Sequence, residues 1–260
     1  MTGIGTVPYD SRVEVGARSG ARPLWRRIVR RAGKAWLAWR YRGFDPGLQP
    51  ERRVVVAGLH LRVLPGVFNP ALHYTSGALA ERLKHPGVVT PGARVLDVGT
   101  GSGILAVAAA LAGGGSIFAV DVNPAAVECA RLNARRYGVL GQVSVRLGDM
   151  FAPVSGEKFD LVLVNPPYFR GEPGDAARQA YMAGPAFEWI RGFARGLPSV
   201  LRPDGTALMV VGDAAETSAI LTVLREEGIG AQHTGHREYL TETVDFFELR
   251  PAARQQERTK

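Results

Sequence analysis

The tetrapeptide Asn165-Pro166-Pro167-Tyr168 carries the most specific chemistry in the sequence. An amide or aromatic amino nitrogen is a poor nucleophile because its lone pair is delocalised. A carboxamide oxygen on Asn165 and the carbonyl of Pro166 can each accept a hydrogen bond from such an NH2 group. Two fixed acceptors hold the nitrogen and turn its lone pair toward an incoming electrophile. The prolines, Pro166 and Pro167, stiffen the loop, so the acceptors need little reorganisation. Tyr168 is expected to offer a flat face on which a planar target stacks. Asn and Pro are also ordinary turn residues, so position decides the matter. The motif follows directly on the apolar run Asp160 to Val164, a buried strand that delivers it to the carboxyl edge of a sheet, where α/β folds bind ligands.

A second constellation lies upstream, in Val95-Leu96-Asp97-Val98-Gly99-Thr100-Gly101-Ser102-Gly103-Ile104-Leu105. An apolar strand ends in an acid, and a glycine-rich turn opens a helix. Glycines permit positive φ and close approach of backbone to a ligand. The next strand ends at Asp121, 22 residues after Gly99, where a carboxylate can take two hydrogen bonds from a ribose diol. A dinucleotide fold asks for Gly-x-Gly-x-x-Gly, whereas the third glycine here comes one residue early and Asp97 precedes the turn. A pyrophosphate disfavours the added carboxylate. The sulfonium and ammonium of S-adenosyl-L-methionine favour it. S-adenosyl-L-methionine is therefore the expected cofactor, and a nicotinamide dinucleotide the alternative. Asp97, Gly99, Thr100, Gly101, Gly103, Asp121 and Val122 are the expected cofactor residues of this region.

These residues need strands to carry them. Arg53 to Ala57 and His60 to Leu64 predict a β-hairpin around Gly58-Leu59. Ser76 to Lys84 predicts a short helix with Ser76 as its N-cap. From residue 92 strands and helices alternate: strands at Arg94–Val98, Ser116–Asp121, Gln142–Leu147, Asp160–Val164 and Thr206–Val211, helices at Gly103–Ala112, Pro124–Tyr137, Phe187–Leu197 and Ala214–Glu227. Two β-like segments, Gly230 to His236 and Thr243 to Leu249, close the pattern. Such alternation predicts a parallel sheet with helices on both faces.

Residues 62–251 resemble the small-domain class I methyltransferases that bear Asn-Pro-Pro-Tyr, a group with release-factor glutamine N5, rRNA guanine-N2 and some adenine-N6 enzymes. The resemblance rests on Asp97-x-Gly99-x-Gly101-x-Gly103 and on residues 165–168. It implies a Rossmann-like, doubly wound, mostly parallel seven-stranded sheet with an antiparallel C-terminal strand. It implies cofactor or catalytic positions at Asp97, Gly99, Gly101, Asp121, Asp149 and Asn165. Asp149 and Met150, in the turn after the third strand of the alternating run, would flank the adenine ring, with the acid accepting from its amino group. Leu64-Pro65-Gly66-Val67-Phe68 is similar to the guanine-N2 enzymes, whereas residues 165–251 are closer to the short release-factor-like branch. The implied reaction is methylation of a planar amide or amino nitrogen, first a protein glutamine side chain and alternatively guanine N2 or adenine N6 of a nucleic acid. The partner is then a protein substrate, such as a translation factor, or RNA. Where the family often has an acid before a threonine, this chain has Tyr74-Thr75.

Charge separates the chain into an arm, residues 1–52, and a domain, residues 53–260. Residues 1–53 hold 12 Lys/Arg against 4 Asp/Glu and so carry the whole net charge of +8. Within the arm, Trp25, Ile28, Val29, Ala32, Trp36 and Trp39 fall at helical spacing between Pro23 and Tyr41, with arginines on the other faces. The charge points to an anionic partner there or to a solvated leader, and the apolar stripe to packing or partner docking first, with RNA and then a membrane surface as alternatives. A single cysteine, Cys129, excludes a disulfide framework and is expected in the core. No secretory leader or membrane span is evident, which fits a cytoplasmic protein. His233 and His236, on a strand at that spacing, should point to opposite faces, so no metal site is expected. The loop Phe169 to Ala180, with Gly171, Pro173 and Gly174, is expected to be either a mobile lid or an idle surface loop.

Overall fold

The computed structural model describes residues 50–172, 174 and 178–252. The predicted helical arm and most of the lid's centre lie outside the described residues.

The hairpin forms as β1 (Arg52–Val56) and β2 (Leu59–Val63), turning at Ala57-Gly58. Helix α1 (Tyr74–Leu83) starts two residues earlier than expected. Its N-cap position is His73, so Ser76 is not a cap; it sits inside the first turn and is buried. The alternating region follows as β3 (Arg94–Val98), α2 (Ile104–Leu111), β4 (Ser116–Asp121), α3 (Pro124–Arg136), β5 (Val143–Leu147), β6 (Phe159–Val164), α4 (Glu188–Val200), β7 (Leu201–Gly212), α5 (Thr217–Glu226), β8 (Ile229–Glu238) and β9 (Thr243–Pro251). Strand β7 begins five residues before its predicted start, and α5 three residues after, because Gly212 to Ala215 closes a turn through Ala215 N–H to the Gly212 carbonyl at 3.0 Å.

The seven-stranded sheet has the order β5-β4-β3-β6-β7-β9-β8, parallel except for β9, which runs antiparallel to both its neighbours. Alternate residues of each central strand serve opposite faces. Val95, Ile117 and Leu161 join one core cluster with α1, α2 and α3; Leu96, Phe118 and Val162 join the other with α4 and α5. Burial on both faces explains why these strands read as unbroken apolar runs.

The topology also fixes where a ligand can sit. The chain runs from β3 outward to β4 and β5, then returns to β6 on the other side of β3, which makes the β3/β6 seam a topological switch point. Val98 and Val164 are register partners across that seam. The two motifs, starting at Gly99 and Asn165, therefore leave the sheet side by side.

Gly103 shows how tightly the first turn is built. Its φ is +79°, and a Cβ there would lie 2.8 Å from the Ala130 Cα of α3. Neither the backbone conformation nor that contact with main chain can yield cheaply. Gly103→Ala is expected to cost about 3 kcal/mol, combining left-handed strain with overpacking. Urea unfolding measures it, and a loss below about 1 kcal/mol would contradict the packing argument.

Candidate functional site

The switch point opens into a cavity of about 660 Å³. Its walls include Gly99, Thr100 and Gly101 from the first turn, Asp121 and Val122 from the end of β4, Asp149 and Met150 after β5, and Asn165 and Pro167 after β6. Four chain segments expected to act together thus meet in one place.

The first turn is held by two carboxylates. Asp97 is 1% exposed, and its Oδ2 accepts from Thr100 Oγ1 at 2.6 Å and from Ala106 N–H at 3.1 Å. It lies behind the cavity wall rather than in it, bracing the loop onto α2. Its Oδ1 is buried without a hydrogen-bond partner, and burial pushes its carboxyl up to about 7. Asp121 does line the cavity. Its Oδ2 accepts from Gly101 N–H at 2.8 Å and its Oδ1 from Asn123 N–H at 2.9 Å. Burial raises it as well, against the pull of these backbone donors. Gly103 does not line the cavity; its role is the contact with α3.

Asn133 was not singled out by its sequence context. Fully buried on α3, it donates to the carbonyls of Arg62 and Ser102 at 2.8 Å each and accepts from Arg62 N–H at 2.9 Å. One side chain thereby ties the hairpin to the glycine turn. Cys129, in the same helix, is buried, and burial pushes its thiol up to about 11, which suits a core residue and not a nucleophile.

At the end of β6 the geometry is asymmetric. Asn165 Nδ2 donates to Ser76 Oγ at 2.8 Å, while Oδ1 is buried and has no partner. The amide is thus anchored through its donor and keeps its acceptor unpaired. Pro166 is buried and Pro167 reaches the wall. Tyr168 corrects the expectation of a stacking platform: it is buried, absent from the cavity wall, and set edge-on to Phe169 at 4.8 Å. Burial also drives its hydroxyl far above the ordinary phenol range. The aromatic surface of the cavity comes instead from Phe68 and Trp189.

Ser76 fixes the orientation of the Asn165 amide. Without its hydroxyl the Asn165 amide can rotate and offer NH2 where the acceptor should be. Ser76→Ala is expected to lower turnover about tenfold, roughly the value of one buried hydrogen bond, with cofactor affinity within about twofold of wild type. Combined with Asn165→Ala it should add nothing further, because both act through one amide. Additive losses would assign Ser76 a separate, structural role.

The described ends of the segment after Tyr168 border the cavity. Phe169 N–H donates to the Tyr181 carbonyl at 3.0 Å and Ala183 N–H to the Phe169 carbonyl at 2.8 Å, pinning both ends of the loop. Arg170 is held by Glu216 at 2.7 Å and by the Pro185 carbonyl at 2.9 Å. Glu172, Gln179 and Ala180 line the cavity from this loop.

The Methyltransferase small domain family matches residues 58–227. The chain belongs to that family. It is 41% identical over 142 residues to the ribosomal protein L11 methyltransferase of Symbiobacterium thermophilum, covering 50% of this chain and 44% of that protein. It is 36% identical over 162 residues to the release factor glutamine methyltransferase of Cereibacter sphaeroides, covering 57% of each. The chain spans about half the length of the curated relatives it matches. Among solved structures, a T. thermophilus 16S rRNA methyltransferase in complex with AdoMet and guanosine superposes with a TM-score of 0.53 at 23% identity, over 77% of this chain and 50% of that one. That likeness is one of fold.

The cofactor of this small-domain family is S-adenosylmethionine, and the cavity fits it. Gly99 has a φ of +71°, and a Cβ built on it would meet no atom within 4 Å, which leaves a cradle at the strand end. Two carboxylates raised by burial, Asp97 and Asp121, are stabilised by a cationic guest.

Proposed function

We propose that the protein is an S-adenosylmethionine-dependent N-methyltransferase acting on a planar amide nitrogen of a protein, a glutamine side chain. The observation that carries this reading is the unpaired acceptor of Asn165: a buried amide oxygen with no partner, fixed by Ser76, beside the seam where the cofactor cradle begins. The bound cofactor supplies a methyl group on a positively charged sulfur. Asn165 Oδ1 and the Pro166 carbonyl accept from the target NH2 and hold its lone pair in line with that methyl. As the nitrogen–carbon bond forms and the carbon–sulfur bond breaks, one N–H proton becomes acidic and leaves to solvent. No strong base is needed beforehand, because neutralising the sulfonium drives the step.

The cavity wall favours a protein over a nucleic acid. Among the described residues, and outside those expected to hold the cofactor, it carries Glu172 and Glu188 and neither lysine nor arginine. A phosphate backbone brought to this mouth would meet carboxylates where it needs cations. The relative from Cereibacter sphaeroides is named for glutamine methylation. No helix among the described residues is long and apolar enough to cross a membrane.

Labelled cofactor added to a cell extract with the purified protein tests this reading. Label that protease releases and nuclease does not, mapped by mass spectrometry to a glutamine, is the expected result. Nuclease-released label, weakened by salt and by removal of the basic arm, would transfer the acceptor to guanine N2 or adenine N6.

A further inference from the structure

A second cluster of chemically active side chains lies away from the cavity, on the edge strand. On a regular strand, His233 and His236 would face opposite sides. They do not. In the β8/β9 pairing His233 stands opposite Phe247, Gly235 opposite Phe246 and His236 opposite Asp245, so Thr234 is an extra residue. Gly235 absorbs this bulge with a φ of +130°. The insertion flips the remainder of β8 and places both imidazoles on the face that carries Asp245. Bulges re-aim side chains in this way next to functional sites.

We propose that His233, His236 and Asp245 form a binding site for a divalent transition ion of the zinc type, one that fastens the edge strand. One ligand atom from each residue lies within 4.8 Å of the others. His233 Nε2 and Asp245 Oδ1 are already 2.9 Å apart. Ligand atoms at the usual 2.0–2.1 Å from tetrahedral zinc are roughly 3.3 Å from one another. The pair is thus close to coordination distance, and a small rotation of the half-buried His236 ring completes the triangle. The two imidazoles already lie nearly parallel, with centroids 6.4 Å apart and 22° between planes. Two imidazoles and a carboxylate suit zinc in preference to calcium or magnesium, which favour all-oxygen shells. The neighbouring cation, Arg82, is turned to the other side, against the Phe246 ring at 5.0 Å and Thr234 Oγ1 at 3.1 Å. Asp245 is 7% exposed and His233 is open to solvent, which leaves room for water as a fourth ligand.

The ion's role follows from its position. β8 is the outermost strand, and the turn joining it to β9 meets α1: the Tyr239 ring stacks on Tyr74 at 4.1 Å, and Glu242 accepts from Tyr74 N–H at 3.4 Å. Crosslinking β8 to β9 therefore stabilises the support of the helix that carries Ser76, without touching the reacting groups.

Titration of the full-length, chelator-treated protein with zinc chloride tests the proposal, read by calorimetry and by metal content after dialysis. One ion per chain is expected, with a higher Tm. Affinity should fall about 100-fold or more in His236→Ala and again in His233→Gln, whereas S-adenosylmethionine binding, the control for folding, stays unchanged. No saturable one-to-one binding, or binding equally tight in both variants, overturns the proposal. Neither result bears on methyl transfer.

Discussion

Replacing Asn165 by alanine is expected to lower methyl transfer about 100- to 1000-fold while leaving S-adenosylmethionine affinity within about threefold. The substitution removes the acceptor that has no other partner in the folded protein, and with it the orientation of the target nitrogen. The remaining contacts of the cavity, from Gly99 to Asp121 and around Met150, are untouched. The loss should fall on kcat more than on KM, since the bond to Asn165 matters most when the nitrogen lone pair must point at the methyl group. Single-turnover methylation of the component labelled in extract, beside calorimetric cofactor titration, separates the two. A variant that binds cofactor normally and keeps more than a tenth of wild-type turnover would remove Asn165 from the chemistry.

The strand ends and turns that carry the candidate site residues were legible because their setting is local. Asp97 to Gly103 is a strand, turn and helix read within ten positions, and Asp121 and Asn165 end apolar strands that can hardly be anything else. The mostly parallel sheet followed from the alternation, and its seven strands with an antiparallel last one from the family resemblance; the order of the strands came from the structure. What failed to show depends on partners far along the chain. Ser76 is 89 residues from Asn165, and its Ser-before-helix context suggested a cap until α1 proved to start at Tyr74. Tyr168 carries both a ring and a hydroxyl, and the motif does not tell whether the residue after Pro167 turns outward; the apolar cluster under β6 draws it inward. The bulge at Thr234 overturned the opposite-face expectation for the two histidines, and a glycine inside a strand was its one local sign.

Cofactor affinity is expected to rise with pH between about 5.5 and 7, and Asp97 is the reason. Burial raises this carboxyl from 3.8 to about 7, so the folded protein holds the proton more tightly than the unfolded chain does. Its contribution to stability is then full below about 3.8 and is lost as the pH rises through about 7, on the order of 4 kcal/mol in all. A cationic guest reverses the preference: a positive charge brought within about 8 Å favours the carboxylate by about 2 kcal/mol at an effective dielectric of about 20. Binding should therefore release protons near pH 6.5, measurable as a dependence of the calorimetric heat on the ionisation enthalpy of the buffer. Asp121 faces the same cavity and is also raised by burial. Asp97→Asn separates the two. The variant keeps an oxygen for Thr100 and Ala106, loses the charge, and should be more stable than wild type at pH 8 without cofactor. It should bind S-adenosylmethionine roughly 30-fold more weakly there, with most of the pH dependence gone. Equal affinity in the two proteins at pH 8 would reduce Asp97 to a brace for the glycine turn.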